Sequence, residues 1–174
     1  MKKLTLLILV AYSVPSIAGW IDGNGRNVPD RQDARSSNGF GVMFVLTADE
    51  VAFARAWSGS VQRPVLQTTT SVQRGKSVSA MLLFSGCKPN AAGACNVSVK
   101  YRVAATDGTV QNVGPYSLWQ RVAPKPGIVE LGDARLKIGT ARNDPVGNCS
   151  ISATLTDLNS GTSIDVSATL KVTD

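Results

Sequence analysis

The chain has three cysteines and no histidine, and these counts bound the chemistry that its side chains could perform. Without histidine, neither a Ser-His-Asp triad nor a Cys-His pair can form, and the usual histidine-containing zinc sites are excluded. Cys87 and Cys95 flank the turn-forming segment KPNAAGA, so their spacing predicts a disulfide across a short loop. Cys149 begins the alternating segment CSISATLT on its apolar face, which predicts a buried thiol; pairing with Cys87 or Cys95 is the alternative.

Paired carboxylates are the other chemistry to consider, because glycoside hydrolysis needs two acidic side chains at one bond. Asp49 and Glu50 are adjacent, but with Thr47 they match the capping-box pattern, which assigns them to the start of a helix. Asp107 and Asp144 stand in turn segments, where aspartate is favoured for its backbone hydrogen bonds. We therefore predict no catalytic residues, no enzymatic activity, and neither a metal nor another cofactor.

Aromatic and cationic side chains that could anchor an interface occur in two places. Tyr116, Trp119 and Arg121 lie in the segment YSLWQR near a predicted sheet edge, and Trp57 lies on a predicted helix. Aromatic residues and arginine dominate the binding energy of many protein interfaces, so these four residues are the predicted binding residues. The alternative is that the tryptophans belong to the core, as they usually do in a small sandwich.

Alternation of apolar and polar residues predicts the strands that position these side chains. In residues 96–104, for example, Val97, Val99 and Tyr101 share one face and polar residues share the other. Strands are predicted over residues 40–46, 65–72, 77–85, 96–104, 109–113, 117–122, 134–139, 148–157 and 163–173, with turn signals between them. Such a series predicts an all-β fold with one short helix, an immunoglobulin-like antiparallel β-sandwich formed by a single domain.

The first eighteen residues have the pattern of a secretory signal peptide. Lys2 and Lys3 precede a short apolar run and small residues that end at Ala18, where cleavage is expected. A membrane anchor is the alternative, but the run has about half of the ~20 apolar residues that a spanning helix needs. Export permits disulfides and predicts a periplasmic or secreted protein without a transmembrane segment in its mature part.

The mature chain is predicted to consist of a flexible segment over residues 19–38 and a sandwich domain over residues 39–174. The segment is rich in Gly, Asn, Asp and Ser without a period, and Trp20 is the residue expected to pin it. The domain includes a short helix near residues 48–57. The net charge of +6 falls to +4 when residues 1–18 are removed with their two lysines. The basic residues are scattered, which argues against nucleic acid and fits an anionic envelope surface or a protein partner.

Two segments resemble known extracellular modules. Residues 144–157, DPVGNCSISATLTD, look like the late strands of immunoglobulin-like and macroglobulin-type β-sandwich modules, in which a tyrosine often stands at the position of Cys149. Residues 86–108 resemble the preceding strand, turn and strand of the same modules. The mature chain, including FGVMFVLTADEVAFARAW, is similar to small, uncharacterised exported proteins of Gram-negative bacteria. The resemblance implies a fold and a compartment, and no activity.

These observations together predict a non-enzymatic, exported binding or adaptor module that acts through protein–protein or envelope contacts. A periplasmic inhibitor or immunity protein is the first alternative, since it needs the same stable scaffold and the same lack of catalytic groups. A carboxylate-dependent hydrolase is the second alternative.

Overall fold

The computed structural model describes residues 20–21, 26–59 and 65–174 of the chain. The signal peptide predicted over residues 1–18 lies outside these ranges. The elements in chain order are β1 (Trp20–Ile21), β2 (Asn27–Val28), β3 (Ala34–Ser37), β4 (Phe40–Thr47), α1 (Glu50–Gly59), β5 (Ser71–Gln73), β6 (Ser77–Ser85), β7 (Val97–Ala104), β8 (Val110–Trp119), β9 (Glu130–Leu131), β10 (Leu136–Gly139), β11 (Gly147–Asp157) and β12 (Thr162–Thr173).

Strands β3, β4, β6, β9 and β10 form one sheet, here called the front sheet, with β6 at its centre. The strand β6 pairs antiparallel with β4 on one side and with β9 and β10 on the other. Its residues from Val78 to Phe84 are all buried, because both faces of this strand are covered. The run SVSAMLLFS is apolar on both faces for this reason, as expected for a central strand.

The second sheet, here called the back sheet, has the order β5-β12-β11-β7-β8. Its pairs are antiparallel except for the short β5, which runs parallel to β12. The orders β4-β6-β10 and β7-β11-β12 correspond to strands A-B-E and C-F-G of an immunoglobulin sandwich. The predicted fold class is confirmed: the protein is an all-β, immunoglobulin-like sandwich with one short helix, and it forms a single domain.

The main core fills the space between the two sheets. Alternate residues of β4, β6, β7, β11 and β12 point inward, and the largest fully buried side chains there include Tyr101, Phe40, Phe44 and Phe84. Tyr101 lies on β7, the strand that carries the buried tryptophan of antibody domains. Its hydroxyl donates a hydrogen bond to the carbonyl oxygen of Ala134 at 3.2 Å, so this polar group is satisfied inside the core.

A smaller apolar cluster lies on the outer face of the front sheet. The helix α1 places Phe53 against Met81 and Leu83 of β6, and Trp57 packs at the margin of this cluster. The helix begins at Glu50, and its cap is Asp49, whose Oδ1 accepts from the backbone N–H of Ala52 at 2.9 Å.

The capping box predicted from Thr47 and Glu50 is wrong. The Thr47 hydroxyl accepts from the backbone N–H of Asp49, and Glu50 accepts a hydrogen bond from Ser79 of the sheet at 2.6 Å. Glu50 therefore fastens the helix to the sheet, and Asp49, one residue before it, takes the capping position.

Some described residues of the segment predicted over residues 19–38 form paired strands. Residues 34–37 form β3, which pairs with β4 at the edge of the front sheet. Trp20 does pin this region: its indole N–H lies 3.3 Å from the carbonyl oxygens of both Arg35 and Val42. Backbone pairing stabilises this edge strand, so its sequence ARSS needs no apolar alternation.

Two predicted strand boundaries are also corrected. Over residues 65–72 only the last two belong to a strand, because the Thr69 hydroxyl accepts from the backbone N–H of Ser71 and makes a local turn there. The strands predicted over residues 109–113 and 117–122 are one strand, β8. Gly114, with a φ of 104°, lets the chain absorb the intervening proline as a register irregularity.

A candidate binding surface at the disulfide-braced end

Trp119, a predicted binding residue, belongs to the core. Only 6% of its surface is exposed, and its ring meets Phe84 edge-on with the ring centroids 5.2 Å apart. Its indole N–H donates to the carbonyl oxygen of Val122 at 3.1 Å. Trp119 is therefore a core residue, which is the alternative that the sequence left open. A buried ring whose N–H is already bonded has no surface to offer a partner.

Arg121 covers the outer side of that core position. Its guanidinium carbon lies 3.5 Å from the centroid of the Trp119 ring, and its two terminal nitrogens bond both carboxylate oxygens of Asp133 at 2.7 and 3.2 Å. Gly132 and Asp133 link the two sheets through their backbone N–H groups. Gly132 donates to the carbonyl oxygen of Leu82 in the front sheet, and Asp133 donates to that of Leu118 in the back sheet. Arg121 thus fastens this crossing to the end of β8, with a charge already paired.

The other two predicted residues lie apart from this pair. Tyr116 is 46% exposed on β8 and lines a shallow groove with Asp133 and Arg135. Trp57 belongs to α1, and its half-buried side chain packs on the outer face of the front sheet. The structure therefore brings Tyr116, Trp119 and Arg121 around Asp133 and leaves Trp57 elsewhere.

The loop after β6 is closed by the predicted disulfide between Cys87 and Cys95, and both residues are buried. Cys149 is free and buried, as its alternation with the apolar set predicts. Inside the loop, the Asn90 side chain accepts hydrogen bonds from the backbone N–H groups of Ala92 at 2.9 Å and Ala94 at 3.0 Å. The loop therefore has one defined shape in place of an ensemble of conformations.

A buried acid and an amide tie this loop to the turn between β11 and β12. Asp157 is almost fully buried and accepts from the backbone N–H of Lys88 at 2.8 Å and from the Ser160 hydroxyl at 2.7 Å. The Asn159 side chain donates to the carbonyl oxygens of Lys88 at 2.8 Å and Ala94 at 3.0 Å. Two loops that meet at the same end of the sandwich are in this way held as one rigid unit.

Three large apolar side chains are exposed at this end. Val122 is 75% exposed, Leu158 is 54% exposed and Ile128 is 48% exposed. Val122 forms an isolated bridge to Ala94, and Leu158 bonds Asn96 through its backbone N–H, so both flank the end of the cysteine loop. Exposed apolar side chains that cluster on a rigid surface are typical of protein interaction sites.

The same end carries two exposed lysines. Lys88 and Lys125 are exposed, and neither has an ion-pair partner within residues 20–21, 26–59 and 65–174. Of the acids nearby, Asp157 is buried among donors and Asp133 pairs with Arg121, whereas the half-buried Glu130, which pairs with Phe84 in the front sheet, has no ion pair among the described residues. We call this surface, defined by Lys88, Val122, Lys125, Ile128 and Leu158, the braced end.

Sequence reasoning missed Val122 and Leu158, although one signal was available. Alternation along β11 places Cys149, Ile151, Ala153, Leu155 and Asp157 inward. Leu158 therefore continues the outward set of serines and threonines, where a large apolar residue stands out. For Val122 no such pattern exists, because it lies beyond the end of β8.

Of the acids considered for hydrolysis, Asp107 and Asp144 line the same pocket, and Asp144 accepts from the backbone N–H of Ala141 at 2.7 Å. Asp49 caps α1, and Glu50 bonds Ser79. Asp107 accepts from the backbone N–H of Thr109 at 2.8 Å, and this bond lowers the pKa of its carboxyl. Among the residues that the structure describes, no group of three Cys, Asp or Glu side chains is placed to hold a metal ion.

No family model matches the chain, and no curated protein matches it. Its fold is similar, at low identity, to parts of several solved structures. A DNA-bound alkylpurine DNA glycosylase from Pseudomonas fluorescens has a TM-score of 0.38 and 12% identity, and the match covers 60% of this chain and 28% of that one. A family 123 glycoside hydrolase from Clostridium perfringens has a TM-score of 0.42 and 10% identity, with 76% and 27% covered.

A Niemann-Pick type C2 protein from the Japanese carpenter ant has a TM-score of 0.40 and 9% identity, and the match covers 75% of this chain and 89% of that one. The chain spans little more than a quarter of the glycosylase and of the hydrolase. Because these TM-scores and identities are low, no activity, ligand or partner of these proteins can be assigned to this chain. The fold assignment therefore rests on strand order, and no family is identified.

Proposed function

We propose that the protein is a non-enzymatic binding module that engages an acidic protein surface through the braced end. The observation that carries the proposal is the exposure of Val122 and Leu158 on a surface that a disulfide and Asp157 hold rigid. Side chains that are already ordered lose less conformational entropy on binding than side chains on a mobile loop.

The charges of the braced end favour an acidic partner. Lys125 lies between Val122 and Ile128 in the chain, and Lys88 lies in the loop that Asn159, next to Leu158, binds. A partner that covers the exposed apolar side chains would therefore also meet these lysines. A complementary acidic surface would be steered toward this end and would pair these lysines at the rim.

The compartment is part of the same proposal. α1 is too short to cross a bilayer, and the described part of the chain has no other helix. The disulfide and the signal-peptide pattern are compatible with export, so the partner would be a protein of the periplasm or the cell surface.

Site-specific cross-linking in cells tests this proposal. The photoreactive residue p-benzoylphenylalanine replaces Val122 or Leu158 in the full chain, with Val146 as the matched control. Val146 is 52% exposed and precedes β11, so it lies at the opposite end of the sandwich. We expect one specific protein adduct from positions 122 and 158, no such adduct from position 146, and loss of the adduct in a Lys88→Glu/Lys125→Glu variant.

Adducts of equal yield from all three positions, or none from positions 122 and 158, would contradict the proposal. Binding of the purified protein to anionic vesicles with no protein adduct would favour an envelope lipid as the partner and would also contradict it. A tight one-to-one complex with an inhibited enzyme or toxin would identify the inhibitor form of the same function.

A further inference from the structure

A cavity opens between the two sheets on the side where β8 and β10 face each other. These strands are the edges of opposite sheets, and neither pairs with the other in the part of the chain that the structure describes. Near the braced end this side is closed, because Gly132 and Asp133 cross between the sheets. Toward the other end, residues 140–146 pass from β10 of the front sheet to β11 of the back sheet and help to line a cavity of 310 Å³.

The floor of this cavity is apolar. Leu170, Val172 and Cys149 are buried there, and half-buried side chains from β7, β8 and β10 form its walls. These wall residues are Val103, Val113, Leu136 and Ile138, all packed against the main core. An apolar molecule in the cavity would therefore extend the core of the sandwich.

The mouth of the cavity is polar and close to neutral. It is lined by Thr106, Thr109, Thr140 and Gln111. The Thr106 hydroxyl donates to the carbonyl oxygen of Pro145 at 3.0 Å, and the Thr140 hydroxyl donates to the carbonyl oxygens of Gln73 and Lys76 at 3.0 Å, so both hydroxyls can still accept a hydrogen bond. Lys137 also lines it, together with Asp107 and Asp144, whose carboxylates already accept from backbone N–H groups of the adjoining turns. Hydroxyls and an amide suit an uncharged polar end, since the mouth carries charges of both signs and so favours neither a cationic nor an anionic end.

We infer that this cavity is a binding site for a small uncharged amphiphile, with an apolar body on the floor and a hydroxyl-like end at the mouth. One water molecule occupies about 30 Å³ in the liquid and a methylene group is of similar size, so the cavity accommodates about ten non-hydrogen atoms. This matches a medium-length alcohol or a molecule of similar size. The site is separate from the braced end and does not depend on the function proposed there.

Cys149 supplies a reporter inside the cavity. It is the one cysteine outside the disulfide, and its thiol is buried at the cavity floor. We expect a small thiol reagent such as methyl methanethiosulfonate to reach it through the mouth, and a bound ligand to block that path. The rate of Cys149 modification therefore measures occupancy directly.

The experiment compares 1-decanol, decanoate and decylammonium as protecting agents on the oxidised full-length protein, below their aggregation concentrations. We expect 1-decanol to slow Cys149 modification at least fivefold with saturation, and the two charged analogues to protect less. The Val113→Phe variant fills the cavity and should abolish the protection by 1-decanol. Val110→Phe lies on the same strand outside the cavity lining and should retain it.

Circular dichroism establishes that each variant is folded, and Ala105→Val provides a milder change in the lining if Val113→Phe does not fold. Absence of saturable protection by 1-decanol would overturn the inference. Equal protection in Val113→Phe, or in Ala105→Val where that variant is used, would also overturn it. Stronger protection by decanoate or decylammonium than by 1-decanol would overturn the assigned ligand class.

Discussion

Gly86 shows how one residue at the braced end depends on having no side chain. Its φ is 72°, in the left-handed region, and a Cβ there would overlap the carbonyl oxygen of Gly39. Gly93 has a similar φ of 76°, but a Cβ there would have no neighbour within 4 Å. A side chain at Gly93 would therefore cause backbone strain alone, whereas one at Gly86 would cause the same strain and a steric overlap.

We predict that Gly86→Ala lowers the free energy of unfolding by more than about 3 kcal/mol, because the strand end must move. Gly93→Ala should cost only the ~1–2 kcal/mol of the left-handed conformation. Urea unfolding monitored by circular dichroism measures both values. Equal losses in the two variants would show that the predicted overlap at Gly86 is relieved without cost.

Tyr101 makes a prediction about alkaline pH. Burial, with a smaller contribution from the nearby Tyr116, raises the pKa of Tyr101 well above its ordinary value. An unfolded tyrosine ionises near pH 10, whereas the folded one stays neutral beyond that point. The free energy of unfolding therefore keeps its full value below about pH 10. It decreases as the pH rises further, by at most ~1.4 kcal/mol per pH unit from this group.

The measurement is the free energy of urea unfolding between pH 8 and 11.5 for the native chain and for Tyr101→Phe. We expect a smaller alkaline slope in Tyr101→Phe, together with a loss of about 1 kcal/mol at neutral pH from the missing hydrogen bond to Ala134. Identical slopes would mean that other groups determine the alkaline sensitivity.

Single residues were predictable from the sequence where a short-range pattern determines their environment. The spacing of Cys87 and Cys95 and the alternation around Cys149 are such patterns, and both predictions are confirmed. The position of Arg121 depends on Asp133, which reaches it only because the chain crosses between the sheets. No local pattern in YSLWQR contains that information.

At the scale of elements, α1 tests how a short helix is positioned on a sandwich. Asp49 caps the helix through the N–H of Ala52, and Glu50 anchors it to Ser79. We predict that Asp49→Ala costs about 1 kcal/mol, the usual value of an N-cap. Thermal unfolding measures this loss, and Asp49→Asn should restore most of it. If Thr47→Ala lowered the stability more than Asp49→Ala, Thr47 would be the more important capping residue.

Elements were predicted well when one face is buried and the other exposed. The strands β7, β11 and β12 show this alternation, so their predicted bounds lie within one residue of those observed. β3 has no such alternation because it is an edge strand stabilised by pairing with β4. β8 was predicted as two strands because Gly114 and Pro115 resemble a break, which the sheet absorbs as an irregularity.

At the scale of the whole molecule, the two apolar clusters differ greatly in size. The main core joins both sheets, whereas only Phe53, Met81 and Leu83 are fully enclosed beneath α1. We predict that Phe53→Ala costs about 3–5 kcal/mol by leaving a cavity under the helix. Amide hydrogen exchange should then become much faster in α1 than in β11 and β12.

Leu155→Ala is the matched comparison, since Leu155 lies in the main core between the sheets. It should accelerate exchange in both sheets and in α1, because the helix packs on a sheet that this core supports. If Phe53→Ala accelerated exchange uniformly, the helix layer and the sandwich would be a single cooperative unit.

The two-layer architecture was predictable because it follows from strand number and alternation. The placement of the cavity was not, since it depends on which edge strands of opposite sheets face each other and on where the chain crosses between them. The braced end combines residues from three separate loops, so it exists only in the folded chain.

The short cysteine loop also has a consequence for how the chain matures. Three cysteines permit three pairings, and the one observed closes by far the shortest ring, with a sequence separation of eight. Ring closure costs least entropy when the ring is short, so oxidation of the three thiols would form the native bond first. In the folded chain Cys149 lies near the start of β11, at the end of the sandwich away from the Cys87–Cys95 loop, so its thiol cannot exchange with that disulfide. Maturation in an oxidising compartment should therefore proceed without help from a disulfide isomerase.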